Sequence, residues 1–315
     1  MHLVHVAVGV VRQADRVLIA RRPDHVHQGG LLEFPGGKVE PDETVPHALQ
    51  RELREEVAID ASPEHMRPLI QIAHDYGDKR VLLDVWCVDR FQGQARGLEG
   101  QPVEWLAVSA LQDADFPAAN RPIIRALRLP SQWLITPAEF SEATFKTRLA
   151  RLGADLECGV LLRQPQLTDE VYLPLARQWV SQARVPVLLH GAPRRFEAVA
   201  GAAGLHLPQA EAARLQARPI PPEAWLGVSC HSPDELAHAV ALGADYAFLS
   251  PVRVTPSHAD QAPLGWERFA EWTSAATVPV YALGGMARSD LSCSYECGGQ
   301  GIAGIRLWDE VAPHA

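Results

Sequence analysis

From Trp133 onward the sequence alternates short apolar runs with Ala/Leu/Glu-rich stretches of helical periodicity, and this alternation constrains the fold more than any other feature. Eight runs can be counted, at 133–136, 159–163, 185–190, 204–207, 225–229, 246–250, 278–283 and 303–305. Short apolar runs bounded by turn residues suit strands buried on both faces, and intervening stretches such as 232–242 and 264–274 are long enough for a helix each. Eight βα units in series predict an α/β parallel barrel, (βα)8, of the TIM type. Residues 133 to 315 number 183, fewer than the usual ~200 to 250, so the helices must be short. An open doubly wound sheet is the alternative.

The first 129 residues read differently. Runs at 5–11 and 17–20 are β-branched strand candidates separated by the turn-like Gln13-Ala14-Asp15. A helix is expected over 45–57, further strands over 81–88 and 104–108, and a short helix from 122 to 127. Strands and helices do not strictly alternate, which predicts a mixed α+β fold. The break at Leu129-Pro130-Ser131-Gln132 gives domains of 1–129 and 133–315 joined by a linker, 130–132. A length of 315 residues suits about two domains.

Charge and composition narrow the function. With 29 basic and 38 acidic residues the net charge is −9, which argues against a nucleic-acid polymer as partner. No apolar run approaches the ~18 residues of a membrane span. The opening MHLVHVAVGVV lacks a basic leader and a cleavage site, so it reads as a strand. Five scattered cysteines make no disulfide framework, and a cytoplasmic setting is expected. Cys293 and Cys297, four residues apart, are an incomplete zinc set.

On the helix over 45–57, Glu52, Glu55 and Glu56 fall at i, i+3 and i+4 and share one face beside an apolar stripe of Leu49, Leu53 and Val57. Clustered carboxylates without thiols suit Mg²⁺ or Mn²⁺, although the same spacing also fits an ordinary solvated acidic face. The flanking residues decide between these. Gly37, Glu43, Arg51-Glu52-Leu53, Glu55-Glu56-Val57 and Ile59 stand at the spacing of the Nudix box, and the segment resembles it except for Ala58, where the family has glycine. Ala7-Val8-Gly9, Arg21-Arg22, the run from Leu32 to Lys38, Glu99-Gly100-Gln101-Pro102, Glu104-Trp105 and the run from Asp115 to Asn120 are similar to the MutT branch, the 8-oxo-dGTP diphosphatases.

That resemblance implies metal ligation by Glu52, Glu55, Glu56, Glu99 and the Gly36 carbonyl. It also implies Glu52, Glu55 and Glu99 as the catalytic carboxylates, with Glu52 favoured as base over Glu99. Arg51 is expected to orient the carboxylates and Glu43 to brace the loop. The nucleotide would be met by Arg22, His27, Glu33, Phe34, Pro35, Gly36, Lys79 and Asn120. Asn120 offers both a donor and an acceptor to a purine edge. Lys79 replaces an arginine and forfeits bidentate contact.

In the second domain, Gly227-Val228-Ser229-Cys230-His231-Ser232, Leu242-Gly243-Ala244-Asp245-Tyr246, Pro251-Val252, Thr255-Pro256 and Ala282-Leu283-Gly284-Gly285-Met286 resemble the thiamine-phosphate synthase/TenI family. The resemblance implies a ligand site of Arg163, His231, Thr255, Gly284 and Gly285 at the C-terminal ends of the strands. The departures bear on activity. His190-Gly191-Ala192-Pro193 stands where synthases carry a magnesium-binding aspartate, and Arg306-Leu307-Trp308 replaces small residues that would receive a phosphate. The expectation is a Mg²⁺-dependent hydrolase converting 8-oxo-dGTP to 8-oxo-dGMP and pyrophosphate, a nucleotide-pool safeguard for DNA replication and repair. It is joined to a degenerate or TenI-like barrel that takes a thiamine-related ligand. The alternative is a Nudix hydrolase of thiamine-pathway diphosphates, with the barrel as partner enzyme or sensor.

Overall fold

A computed structural model of the chain describes residues 3–24, 28–75, 77, 80–139, 147, 152, 157–255 and 262–309. It divides into two compact units, Met1–Leu129 and Pro130–Ala315.

The first unit is built on one sheet of seven strands: β1 (Leu3–Gln13), β2 (Arg16–Arg21), β3 (Leu32–Glu33), β4 (Gly36–Lys38), β5 (Met66–Asp75), β6 (Arg80–Val88) and β7 (Val103–Ala107). Their order is β3-β2-β1-β6-β5, with β4 also paired to β1 and β7 to β2. The period of two in β1 divides its side chains between two cores. Val8 and Val10 pack with Phe34, Phe116 and the short helix α2 (Arg121–Leu127). Ala7 and Val11 pack under α1 (Val45–Val57), whose Leu49, Leu53 and Val57 are fully buried. Strand β5 has no counterpart in the sequence reading. Its opening Met66-Arg67-Pro68 breaks the alternation, and the register slips between Pro68 and Ile70.

The second unit is a closed parallel barrel in the order β10-β11-β12-β13-β14-β15-β8-β9. Its strands are β8 (Gln132–Ile135), β9 (Cys158–Leu162), β10 (Val187–His190), β11 (Gly204–Leu207), β12 (Trp225–Cys230), β13 (Tyr246–Leu249), β14 (Val280–Leu283) and β15 (Gly301–Gly304). Each coincides with one of the eight apolar runs to within two or three residues at either end. The helices between them include α3 (Asp169–Gln182), α4 (Pro193–Glu197), α5 (Gln209–Ala212), α6 (Pro233–Ala241), α7 (Gly265–Ser274) and α8 (Leu291–Glu296), several of them only one or two turns long.

Residues 130–132, read above as a linker, are part of the barrel. Gln132 opens β8 and its N–H donates to Glu157 O (3.1 Å), Ser131 Oγ donates to the same carbonyl (3.1 Å), and Pro130 O accepts from Tyr281 OH (2.6 Å). A proline and two polar residues look like a break in sequence, but here each of the three bonds into the barrel wall through one of its groups.

Candidate functional sites on the acidic helix and at the barrel mouth

Helix α1 and strand β4 approach each other closely because β4 carries glycines. A Cβ on Gly36 would lie 2.1 Å from Ala7 O, and one on Gly37 would lie 2.2 Å from the Glu52 carboxyl carbon. Side chains at these positions would push β4 off β1, or Glu52 off the strand. The Glu52 carboxyl therefore occupies space that exists only because position 37 is bare.

Arg51 ties the carboxylates together. Its Nε and Nη2 donate to the two Glu43 oxygens (2.9 and 3.0 Å), and Nη2 also donates to Lys38 O (3.1 Å). Its Nη1 donates to Glu52 Oε1 (2.8 Å) and Glu55 Oε2 (3.3 Å). Glu43 is held below the usual carboxylate range by these bonds from Arg51. Glu43 Oε2 in turn accepts from the Glu40 N–H (3.2 Å), bracing the loop that leads into α1.

Glu56 lies on the other side of the cluster. Its Oε2 accepts from the Gly36 N–H (2.9 Å). Burial pushes its pKa up to about 7, and the nearby Glu33 and Glu99 add to the rise. Glu33 is also raised by burial, against the lowering effect of Arg22, which forms an ion pair with it. Glu99 is brought here by a loop docked on the end of α1. Leu98 N–H and Gln101 Nε2 both donate to Glu56 O (2.9 and 3.1 Å), and Gln101 Oε1 accepts from the Glu99 N–H (2.9 Å).

The structure thus brings Glu33, Glu56 and Glu99 into one electrostatic neighbourhood and holds Glu52 and Glu55 on Arg51. The three helix carboxylates do not converge on one point, and among the described residues no three His, Cys, Asp or Glu side chains are gathered as a metal-binding group. Like charges on one helix face repel, and here Glu52 and Glu55 share the Arg51 guanidinium while Glu56 turns to the Gly36 N–H. The residues nonetheless fit a hard divalent cation. They are oxygen donors only, and burial with mutual repulsion raises Glu33 and Glu56, a field that a cation would relieve.

The remaining nucleotide-site candidates are dispersed. Phe34 is a core side chain, 4% exposed, stacked on Phe116 with ring centroids 5.6 Å apart. Pro35 is buried, its carbonyl accepting from the Gly9 N–H (2.8 Å). Asn120 is half-buried just before α2, its N–H bonded to Pro117 O (2.9 Å). His27 and Lys79 lie outside the described residues.

At the barrel mouth a cavity of about 300 Å³ collects Arg163, Thr255, Gly284 and Gly285 from the candidate set. His231 is not among the lining residues. Its Nδ1 faces Ser250 O (2.9 Å), and its backbone N–H donates to Glu235 Oε2 (2.6 Å). Its neighbour Cys230 is buried, with its thiol pushed up to about 12, so it is an inert packing group. The cavity instead contains His190, His206 and Ser229, which the sequence reading left out of the ligand set. His206 Nε2 pairs with Ser229 Oγ (2.9 Å) and Nδ1 with Tyr246 OH (3.1 Å). The period of two in β11 and β12 turns His206 and Ser229 inward, toward the strand ends where the ligand set was expected.

These two sites, one on an α+β sheet and one in a parallel barrel, define a two-domain protein of the Nudix and thiamine monophosphate synthase classes. A family model described as "NUDIX domain" matches residues 7–126, and one described as "Thiamine monophosphate synthase" matches residues 133–307, more than half of the chain. The chain belongs to both families, one per unit, and the first unit is a hydrolase acting on phosphoric anhydrides. It is 40% identical over 129 residues to an Escherichia coli 8-oxo-dGTP diphosphatase, covering 98% of that protein and 41% of this chain. It is 32% identical over 131 residues to an Escherichia coli CTP pyrophosphohydrolase, covering 92% of that protein and 40% of this chain. The barrel is similar to the solved thiamine phosphate pyrophosphorylase of Pyrococcus furiosus, at 19% identity and a TM-score of 0.43, over 58% of this chain and 97% of that one. Among the described residues no helix is long and apolar enough to cross a membrane.

Proposed function

We propose that the first unit hydrolyses 8-oxo-dGTP to 8-oxo-dGMP and pyrophosphate, protecting the nucleotide pool used for replication. The observation that carries this reading is the carboxylate group of Glu33, Glu52, Glu55, Glu56 and Glu99 around β4, in a unit 40% identical to a protein of that activity. Mg²⁺, with Mn²⁺ able to replace it, would supply charge neutralisation for the triphosphate and a lowered pKa for the attacking water. Glu52, Glu55, Glu56, Glu99 and the Gly36 carbonyl would hold it. Arg51 holds and aims Glu52 and Glu55. Glu52 takes the proton of the water that attacks the β-phosphorus, with Glu99 the other carboxylate able to do so. Arg22, paired with Glu33, and Asn120 would meet the base, where an amide suits a purine edge.

The test is steady-state kinetics of the full-length protein with Mg²⁺ on 8-oxo-dGTP, dGTP, CTP and thiamine diphosphate, with Glu56→Gln as blank. The expected result is a kcat/KM for 8-oxo-dGTP far above the others, lost in the variant. Equal values for 8-oxo-dGTP and dGTP would end the specificity reading. The barrel cavity favours a second, compatible reading, in which the second unit binds a small thiamine-related ligand without making it. If thiamine diphosphate is the better substrate, the hydrolase serves that ligand instead.

A further inference from the structure

Two of the five cysteines differ from the rest in their surroundings. Cys87, Cys158 and Cys230 are fully buried, and burial pushes the Cys87 and Cys230 thiols up, so these three are packing groups. Cys293 and Cys297 are half-buried, on α8 and at its C-terminal end, and neither lines the barrel cavity. The Cys297 N–H donates to Cys293 O (3.0 Å), which sets the two residues one turn apart on a single face. Their side chains are hydrogen-bonded to each other, and burial, then Cys293, push the Cys297 thiol up to about 11. Cys297 therefore keeps its proton and directs it toward Cys293. Among the described residues no third His, Cys, Asp or Glu completes a metal-binding group with them, so each sulfur's nearest chemical partner is the other.

From this geometry we infer that Cys293 and Cys297 form a redox-active dithiol, which reduces a hydroperoxide and closes to a disulfide across the last turn of α8. The Cys293 sulfur, as thiolate, attacks the distal peroxide oxygen. The O–O bond breaks, and an alcohol (water, from hydrogen peroxide) leaves with the proton that Cys293 gave up. The Cys297 sulfur then attacks the resulting sulfenic acid. An S–S bond forms, the S–O bond breaks, and hydroxide leaves as water with the Cys297 proton. Two electrons pass from the sulfurs to the peroxide, and a small dithiol reductant returns them. Residues four apart on a helix hold their Cβ atoms about 5–6 Å apart, whereas a disulfide needs about 3.5–4.5 Å. Closure must tighten the turn, and this end has room to do so. Helix α8 is six residues long, and Cys297 has already left helical geometry (φ −90°, ψ 15°), just before Gly298 in the left-handed region (φ 79°). A bond closed against the helix is of the labile kind, which suits a reversible cycle and not a permanent staple.

The test treats the full-length protein at pH 8 with a small molar excess of hydrogen peroxide, caps remaining thiols with N-ethylmaleimide in urea, and weighs the tryptic peptides. Cleavage after Arg288 and Arg306 puts both thiols in one peptide, 289–306. That peptide should be unlabelled and two hydrogens lighter than its dithiol form, and dithiothreitol should restore both labels. It should oxidise at least tenfold faster than the peptides of Cys87, Cys158 and Cys230. Cys297→Ser should stop the reaction at a Cys293 sulfenic acid that dimedone captures, and Cys293→Ser should leave Cys297 reduced. The parent protein decides the matter even if a variant fails to fold. Two labels retained after peroxide, sulfinic acids on the separate cysteines, a disulfide joining two chains, or oxidation of Cys87 at the same rate would each overturn the proposal.

Discussion

At the scale of single residues, Ala58 shows what a family departure costs. It caps α1 in the left-handed region (φ 59°, ψ 29°), where its N–H still reaches Leu53 O. An L-residue with a Cβ pays about 1–2 kcal/mol there, which glycine does not. Ala58→Gly should therefore raise the stability of the first unit by roughly 1 kcal/mol, after allowing for the freer unfolded chain. Urea unfolding followed on that unit measures it, and an unchanged or lower midpoint would contradict the strain. The substitution lies past the carboxylates, so hydrolysis should be unaffected. The motif spacing made Glu52, Glu55 and Glu56 legible from sequence, because i, i+3, i+4 places them on one helix face whatever the tertiary context. Glu33 acquires its raised pKa only from burial beside Glu56 and Glu99, and no local pattern foretells that.

At the scale of elements, the site depends on how closely β4 passes α1. Gly37→Ala keeps the strand's backbone but puts a methyl where the Glu52 carboxyl sits. The expected outcome is a fall in kcat of about 10–100-fold, the usual cost of misplacing a ligand's support. The thermal transition should change little, because Glu52 is half-exposed and can swing outward. A variant with full kcat would show that Glu52 does not need this position. Helix α1 was readable from its apolar stripe, and the eight barrel strands from their spacing. Strand β5 was not, since Arg67, Pro68 and a register slip erase the period that identifies a strand. The placement of His231 was missed for a related reason. Its position in the run suggests the strand end, but the chain turns there and the ring meets Ser250 O.

At the scale of the whole molecule, the buried histidines set how the barrel responds to acid. His190 is pushed down to about 3 and His206 well below its ordinary value, both chiefly by burial. Above pH 6.5 both are neutral whether the chain is folded or not, and the linkage term is zero. Below it the unfolded chain takes up protons that the folded barrel refuses, so stability falls as pH falls from about 6.5 toward 3. The slope is about 1.4 kcal/mol per pH unit for each histidine once unfolded-state titration is complete. Barrel unfolding by urea at pH 7.5 and 5.0 should show this loss, and His206→Gln should remove about half of the histidine share. An identical pH dependence in the variant would assign the acid sensitivity to other groups. The two-domain plan was legible from the change in alternation. The full lining of the barrel mouth was not, since it is assembled from strand ends as far apart as Ile135 and Gly304.

The hydrogen bonds that knit β8 between β9 and β15 also fix an order of events during synthesis. Ile302 N–H bonds Ser131 O (3.0 Å), and Trp308 Nε1 reaches Ile135 O (2.9 Å) across 173 positions. The first barrel strand therefore keeps an open edge until β15 leaves the ribosome, while every pairing partner of the Nudix sheet has already emerged. A nascent chain can fold its hydrolase while its barrel is still unclosed, and a chain cut short before β15 would carry a finished first unit attached to an exposed strand prone to pair with a neighbour.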